Sequence, residues 1–133
     1  MKIEFASIFP RLKAAFIDAV VMVALMYGAT EILSLFDVVP NYIRILIAVF
    51  IFVLYEPIFV SLFGQTVGHS RINLIVRQEE DIKKNISFFK ALIRFTLKFF
   101  LGWLSLLTVP DSEKGQAIHD AVVKSIVIEE VID

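Results

Sequence analysis

The sequence predicts a membrane all-α fold: a two-helix transmembrane hairpin, a third amphipathic or re-entrant helix, and room for a small cytoplasmic two-stranded element. Three observations lead there. Hydrophobic residues make up 58% of the 133-residue chain and the mean hydropathy is +0.79, above the roughly 45 to 50% apolar share of ordinary soluble domains. Two apolar stretches are each long enough to cross a bilayer core. The polar break between them is so short that they must run antiparallel. The whole of 1–133 reads as one domain, with no low-complexity linker and no internal repeat visible.

The first span covers Ala14 to Phe36, interrupted by Asp18 and Glu31. At 1.5 Å per residue it reaches ~34 Å. A cleaved signal segment is the competing reading, but it would have a shorter apolar region, no aspartate and a small-residue cleavage site. Asp37, Pro40 and Asn41 form the break, and Ile45 to Phe63 is the second span, with Glu56 its only charge. Pro57 removes a backbone donor and is expected to bend the outgoing half. Lys2, Arg11 and Lys13 precede the first span, and Arg71, Arg77, Lys83 and Lys84 follow the second, against Arg44 alone at the hairpin tip. The bias in basic residues puts the amino terminus and 64–86 on the cytoplasmic side.

Gly64 to Ser70 reads as a glycine-punctuated loop, and the alternation of Arg71 to Gln78 as a strand closed by the acidic turn Glu79, Glu80, Asp81. Ser87 to Thr108 is apolar enough to span but carries Lys90, Arg94 and Lys98 on one helical stripe. A lipid-facing arginine at the bilayer centre costs at least ~3 kcal/mol on insertion scales. The helix therefore lies shallow or re-enters, with the stripe toward headgroups or protein acids. Gly102 and Trp103 suit a bend and an interfacial anchor, and Pro110 ends the segment. In the tail, 111–133, Val122 to Ile128 is a run that periodicity assigns to neither helix nor strand; a strand pairing with 71–78 keeps the tail cytoplasmic.

Composition excludes several functions. Thirteen basic against fourteen acidic residues leave no field to attract nucleic acid. The absence of cysteine rules out disulfides, thiolate metal sites and a cysteine nucleophile. Two distant histidines make no metal pair, so no metal and no cofactor is expected. No Ser or Thr stands beside a histidine within a membrane segment, and the chain is not read as an enzyme. Its expected partners are the lipid bilayer and, since two helices enclose no pore, copies of itself or other membrane subunits.

Ionisable groups inside a membrane are costly enough to be functional by default. Arg11 and Asp18 are seven residues apart, about two helical turns, and share a face if the first helix includes Arg11. Asp18 and Glu56 both lie ~8 to 11 Å from the cytoplasmic ends of their spans. They could bind a cation, proton or small ligand, or be neutralised by a stripe of counter-charges, Lys90, Arg94 and Lys98, with Arg94 as a salt-bridge partner. Glu31 reads as snorkelling to the outer interface. Gly64, Thr66, Gly68 and His69 could line an anion-binding turn, although no Walker pattern supports a nucleotide. His119 beside Asp120 could handle protons; an exposed loop histidine is the commoner case.

Arg11-x-x-Ala14-x-x-x-Asp18, Gly64-x-Thr66-x-Gly68 and His119-Asp120 before a valine-rich tail resemble the RDD family of bacterial membrane proteins over nearly the whole chain. That family is named for one arginine and two aspartates, which here look like Arg11, Asp18 and Asp120. Its glycine loop usually ends in lysine where this chain has His69, and its tail threonine stands here as Ser125. The resemblance implies a bacterial cytoplasmic (inner) membrane location and a suspected part in transport of poorly defined ligands, with a proposed link to cation and proton exchange. On that reading Asp18 and Glu56 bind, and Arg11 and Asp120 gate or orient. The rival is a structural or accessory membrane subunit whose charges form fixed ion pairs.

Overall fold

The computed structural model describes residues 2–131. Two long helices dominate it, α1 (Ile8–Leu33) and α2 (Asn41–Phe63), and both are long and apolar enough to cross a membrane. Each begins earlier than hydropathy alone places it, because the first turns carry polar residues that do not count toward an apolar run. Thus Arg11 is inside α1. Pro40 opens α2 in extended backbone, and Pro57 is carried within α2 without ending it. Gly64 closes α2 at φ 76°, where a Cβ would meet Asn85 and Arg77 at 2.7 and 2.9 Å.

The remainder folds against the Ile8 and Phe63 ends of this hairpin. A short helix α3 (Val67–Arg71) leads into strand β2 (Leu74–Gln78). Helix α4 (Phe88–Leu101) continues as a 3-10 segment, Gly102–Thr108, and a second short helix α5 (Ile118–Val122) leads into strand β3 (Ser125–Val131). With β1 (Lys2–Phe5) these strands make an antiparallel sheet in the order β1-β3-β2.

Several expectations are corrected. The fold is helical with a three-stranded sheet, so it is not all-α, and the sheet gains β1, four residues too short to read as a strand. The glycine segment is a helix after its first turn, because Thr66 caps it: its hydroxyl accepts from His69 N–H at 3.2 Å and the His69 ring accepts from Thr66 N–H at 3.3 Å. That helix takes Arg71 from the expected strand, which starts at Leu74. The expected 87–108 helix changes geometry at Gly102, as a bend there requires. The Trp103 side chain, expected as an interfacial anchor, lies outside the described side chains, and Ile132 and Asp133 of the tail lie outside the described residues.

A repeat that the sequence conceals also emerges. Both short helices are followed by a two-residue turn ending at positive φ, Asn73 at 61° and Lys124 at 56°, and then by a strand. Val76 and Val127 occupy equivalent places nine residues into each unit and are paired directly across β2 and β3. The two units are thus related by a local twofold through that pair. Leu74, Val76 and Val127 face a core with Ala6, Ala14, Val60, Ile86 and Ala91, while Ile75, Ile126 and Ile128 cluster on the other face, as the pleat demands.

Helix α4 is amphipathic in the sense opposite to that of a soluble helix. Ala91 and Arg94 are buried, whereas Phe89 and Phe100 are 76% and 78% exposed. It is joined to α2 by edge-to-face contacts of Phe52 with Phe95 and Phe99, with centroids 5.7 and 5.4 Å apart.

Candidate functional site

The sheet, α4 and α5 bring residues from opposite ends of the chain against the two spans. Arg11, in the first turn of α1, donates from Nη1 to Asp120 Oδ2 at 2.7 Å and from Nη2 to the Gly115 carbonyl at 2.7 Å. Arg94 donates from Nε to Asp120 Oδ1 and from Nη1 to Glu56 Oε1, both at 2.9 Å. Lys98 reaches the same Glu56 oxygen at 3.0 Å. The result is an alternating chain, Arg11, Asp120, Arg94, Glu56, Lys98, joining α1, α5, α4 and α2. Only Lys98 is substantially accessible: the other four side chains are 0 to 9% exposed. Each of these buried ions would cost several kcal/mol alone, so mutual pairing and hydrogen bonding are what make the arrangement tenable.

The same neighbours set the protonation states outside the spans. Burial alone would raise the Asp120 pKa, but Arg94 and Arg11 hold it well below the usual carboxylate range. Burial opposes the charge of Arg94, and Asp120 and Glu56 more than offset it, raising its pKa. His69 is lowered to about 3 by burial first and then by the positive charge of Lys98. His119 falls to about 3 through burial and then Arg94. Both imidazoles are therefore neutral at physiological pH.

Asp18 stands apart from the ion chain. It accepts from the Tyr55 hydroxyl at 2.8 Å, the Thr66 hydroxyl at 2.6 Å and the Gly68 N–H at 2.8 Å. Three donors satisfy a carboxylate without a cation, and among the described residues it forms no ion pair. The close approach explains Gly68, where a Cβ would strike the Ala14 carbonyl and come within 2.8 Å of the Asp18 carboxyl.

Of the residues singled out from sequence, Arg11, Glu56, Asp120, Arg94 and Lys98 are brought together. Asp18, Thr66, Gly68 and His69 form the adjoining group, and Gly64 serves as the end of α2. Arg11 and Asp18 share α1 but not a partner. Lys90, one turn before Arg94 on α4, is exposed and joins no ion pair among the described residues. His119 is 1% exposed, which corrects the reading of it as an exposed loop histidine: α5 turns it inward against the Ser105 hydroxyl, 2.6 Å from Nδ1. Glu31 is exposed near the far end of α1.

Tyr55 and Ser105 were not foreseen. A tyrosine one residue before an intramembrane glutamate was the available signal for the first. Ser105, inside an apolar run, gave none. Ser125 lies 3.4 Å from both the carbonyl and the carboxylate of Asp120, at the edge of hydrogen-bonding range.

Two cavities flank the network. One of about 220 Å³ lies between Arg11, Ala15, His69, Arg94, Lys98 and His119. The other, about 270 Å³, is lined by both Asp18 and Glu56 with Met22, Phe52 and Lys98. Among the described residues no group of three or more His, Cys, Asp or Glu could hold a metal ion.

The RDD family model matches residues 5–124, and comparisons with curated proteins and with solved structures returned no match. The matched span includes all of the network, and the chain belongs to the RDD family.

Proposed function

We propose that this RDD-family membrane protein is a structural or accessory membrane subunit, in which the buried charges are fixed ion pairs that fasten a small sheet module to a two-helix membrane anchor. The observation that carries the reading is that every buried acid of the site is already held by protein donors. Glu56 is held by Arg94 and Lys98, Asp120 by Arg11 and Arg94, and Asp18 by three donors. Among the described residues every side-chain nitrogen or oxygen that is wholly sealed off has a partner, so what is left unpaired borders open space. Asp18 and Asp120, with both carboxylate oxygens engaged, would have to break a bond before either could take up a cation.

The basic residues that flank the spans favour a cytoplasmic amino terminus and a cytoplasmic sheet module, and the family resemblance favours residence in a bacterial inner membrane. The outward phenylalanines of α4 suit a helix lying at the membrane surface with its apolar face in the acyl boundary and Arg94 turned inward. Homo-oligomerisation or attachment to other membrane subunits would cover the exposed faces of the hairpin.

Transport is the second reading, favoured by the cavity that Asp18 and Glu56 share. Cation and proton flux in sealed vesicles separates the two, with Asp18→Asn beside the wild type after equal insertion is confirmed. An accessory subunit gives no protein-dependent flux in either. Flux in the wild type that vanishes in a stably folded Asp18→Asn variant would overturn the structural reading.

A further inference from the structure

The cavity of about 220 Å³ is lined by Arg11, Arg94, Lys98, His69 and His119 and by no carboxylate. Its acids, Glu56 and Asp120, sit behind the cations rather than in the wall, so three cations face inward against two carboxylates that only partly neutralise them. The ion pairs also leave donors unspent. Arg94 is 2% exposed; its Nε and Nη1 are engaged, and its Nη2 has no protein partner among the described residues. Lys98 uses one of its three hydrogens on Glu56. His69 is 4% exposed, and because its Nδ1 accepts from Thr66 N–H, the neutral ring carries its proton on Nε2, which is left for the cavity.

These donors come from different elements, α3 for His69 and α4 for Arg94 and Lys98, with His119 of α5 beside them. Donors arriving from several sides suit a tetrahedral oxyanion, and buried guanidinium is well matched to phosphate oxygens. Leu12, Ala15, Leu106 and Val127 complete the wall with apolar surface. The volume is many times the roughly 10 to 15 Å³ that one water needs.

We infer that this cavity is a binding site for a phosphate-type oxyanion, either free or as the headgroup of an anionic lipid. It goes beyond the accessory role, because a purely architectural network has no use for unspent donors around an open space.

The test uses the full chain in phosphatidylcholine nanodiscs, where thermal unfolding is followed while inorganic phosphate is titrated at constant ionic strength. A second set of nanodiscs contains one fifth phosphatidic acid. Saturable stabilisation by phosphate identifies a free anion, and stabilisation by phosphatidic acid alone identifies a lipid headgroup. Two variants locate the effect. Lys98→Met removes one donor while Arg94 still holds Glu56, and Ala15→Leu fills the cavity with every charge retained. Each is expected to weaken the anion response at least tenfold. No stabilisation by either probe, or the same response in both variants as in the wild type, would overturn the site.

Discussion

The two halves of the same hairpin are solvated in opposite ways. Between Ala19 and Leu54 no described residue is buried, and Val23, Phe36, Tyr42 and Phe50 are more than 60% exposed. Around the helix ends near Arg11 and Glu56, Phe9 and Phe16 are exposed while the charged Arg11, Asp18 and Glu56 are buried beside Ala14, Tyr55 and Val60. In water the first region would be an aggregation surface; in lipid it is simply solvated, and its sequence is constrained by hydrophobicity more than by shape. The second region has no such freedom. Its charges are tenable only when paired, so stability concentrates there.

The contrast can be broken most forcefully at Arg94, whose removal takes one cation from each of two acids and leaves Glu56 with Lys98 and Asp120 with Arg11. Arg94→Met should cost about 3–5 kcal/mol, read as a lower unfolding midpoint in detergent or nanodiscs. A loss under 1 kcal/mol would place the charges in water rather than in a buried network.

Acid should act on the same region. His69 and His119 have folded values near about 3 against ~6.5 when unfolded. Between those limits the unfolded chain binds more protons, so the stability contribution is complete above pH ~6.5 and is lost as pH falls. By pH 5 the loss is about 2 kcal/mol per imidazole. Replacing His69 and His119 with Gln should flatten that slope; an unchanged slope would assign it to other groups. Asp120, held low by Arg94 and Arg11, contributes fully above pH ~4 and loses its share only under stronger acid.

Gly68→Ala should cost about 1–3 kcal/mol by forcing α3 away from Ala14 and Asp18. At the other extreme, Val23→Ile on the lipid-facing surface should change the midpoint by less than about 0.5 kcal/mol. A large effect there would reveal a packed protein interface on that face.

The same contrast governs what the sequence discloses. The spans were legible because lipid imposes a long, local apolar pattern; their starts were misplaced where polar first turns joined them, and the first was carried past its end at Leu33 by the apolar Leu35 and Phe36. That Asp18 and Glu56 lie toward the same end of the hairpin followed from counting residues, and Arg94 could be named as a partner from its place on a basic stripe. The Arg11–Asp120 pair, 109 residues apart, follows from no periodicity, since β3 must first dock between β1 and β2. Family resemblance marked both residues without saying that they touch. The twofold between the helix–turn–strand units was hidden because Thr66-Val67-Gly68-His69 and Ala117-Ile118-His119-Asp120 share a backbone path but little side-chain chemistry. His119 looked like a loop residue because a five-residue helix is too short to show a period.

The most direct test is a double-mutant cycle between Glu56 and Arg94, using Glu56→Gln, Arg94→Met and the combination, with reversible unfolding measured in nanodiscs at pH 7. A fixed ion pair is expected to give a favourable coupling of about 1–3 kcal/mol. Additive losses, with coupling near zero, would contradict the account and leave Glu56 free to serve a ligand.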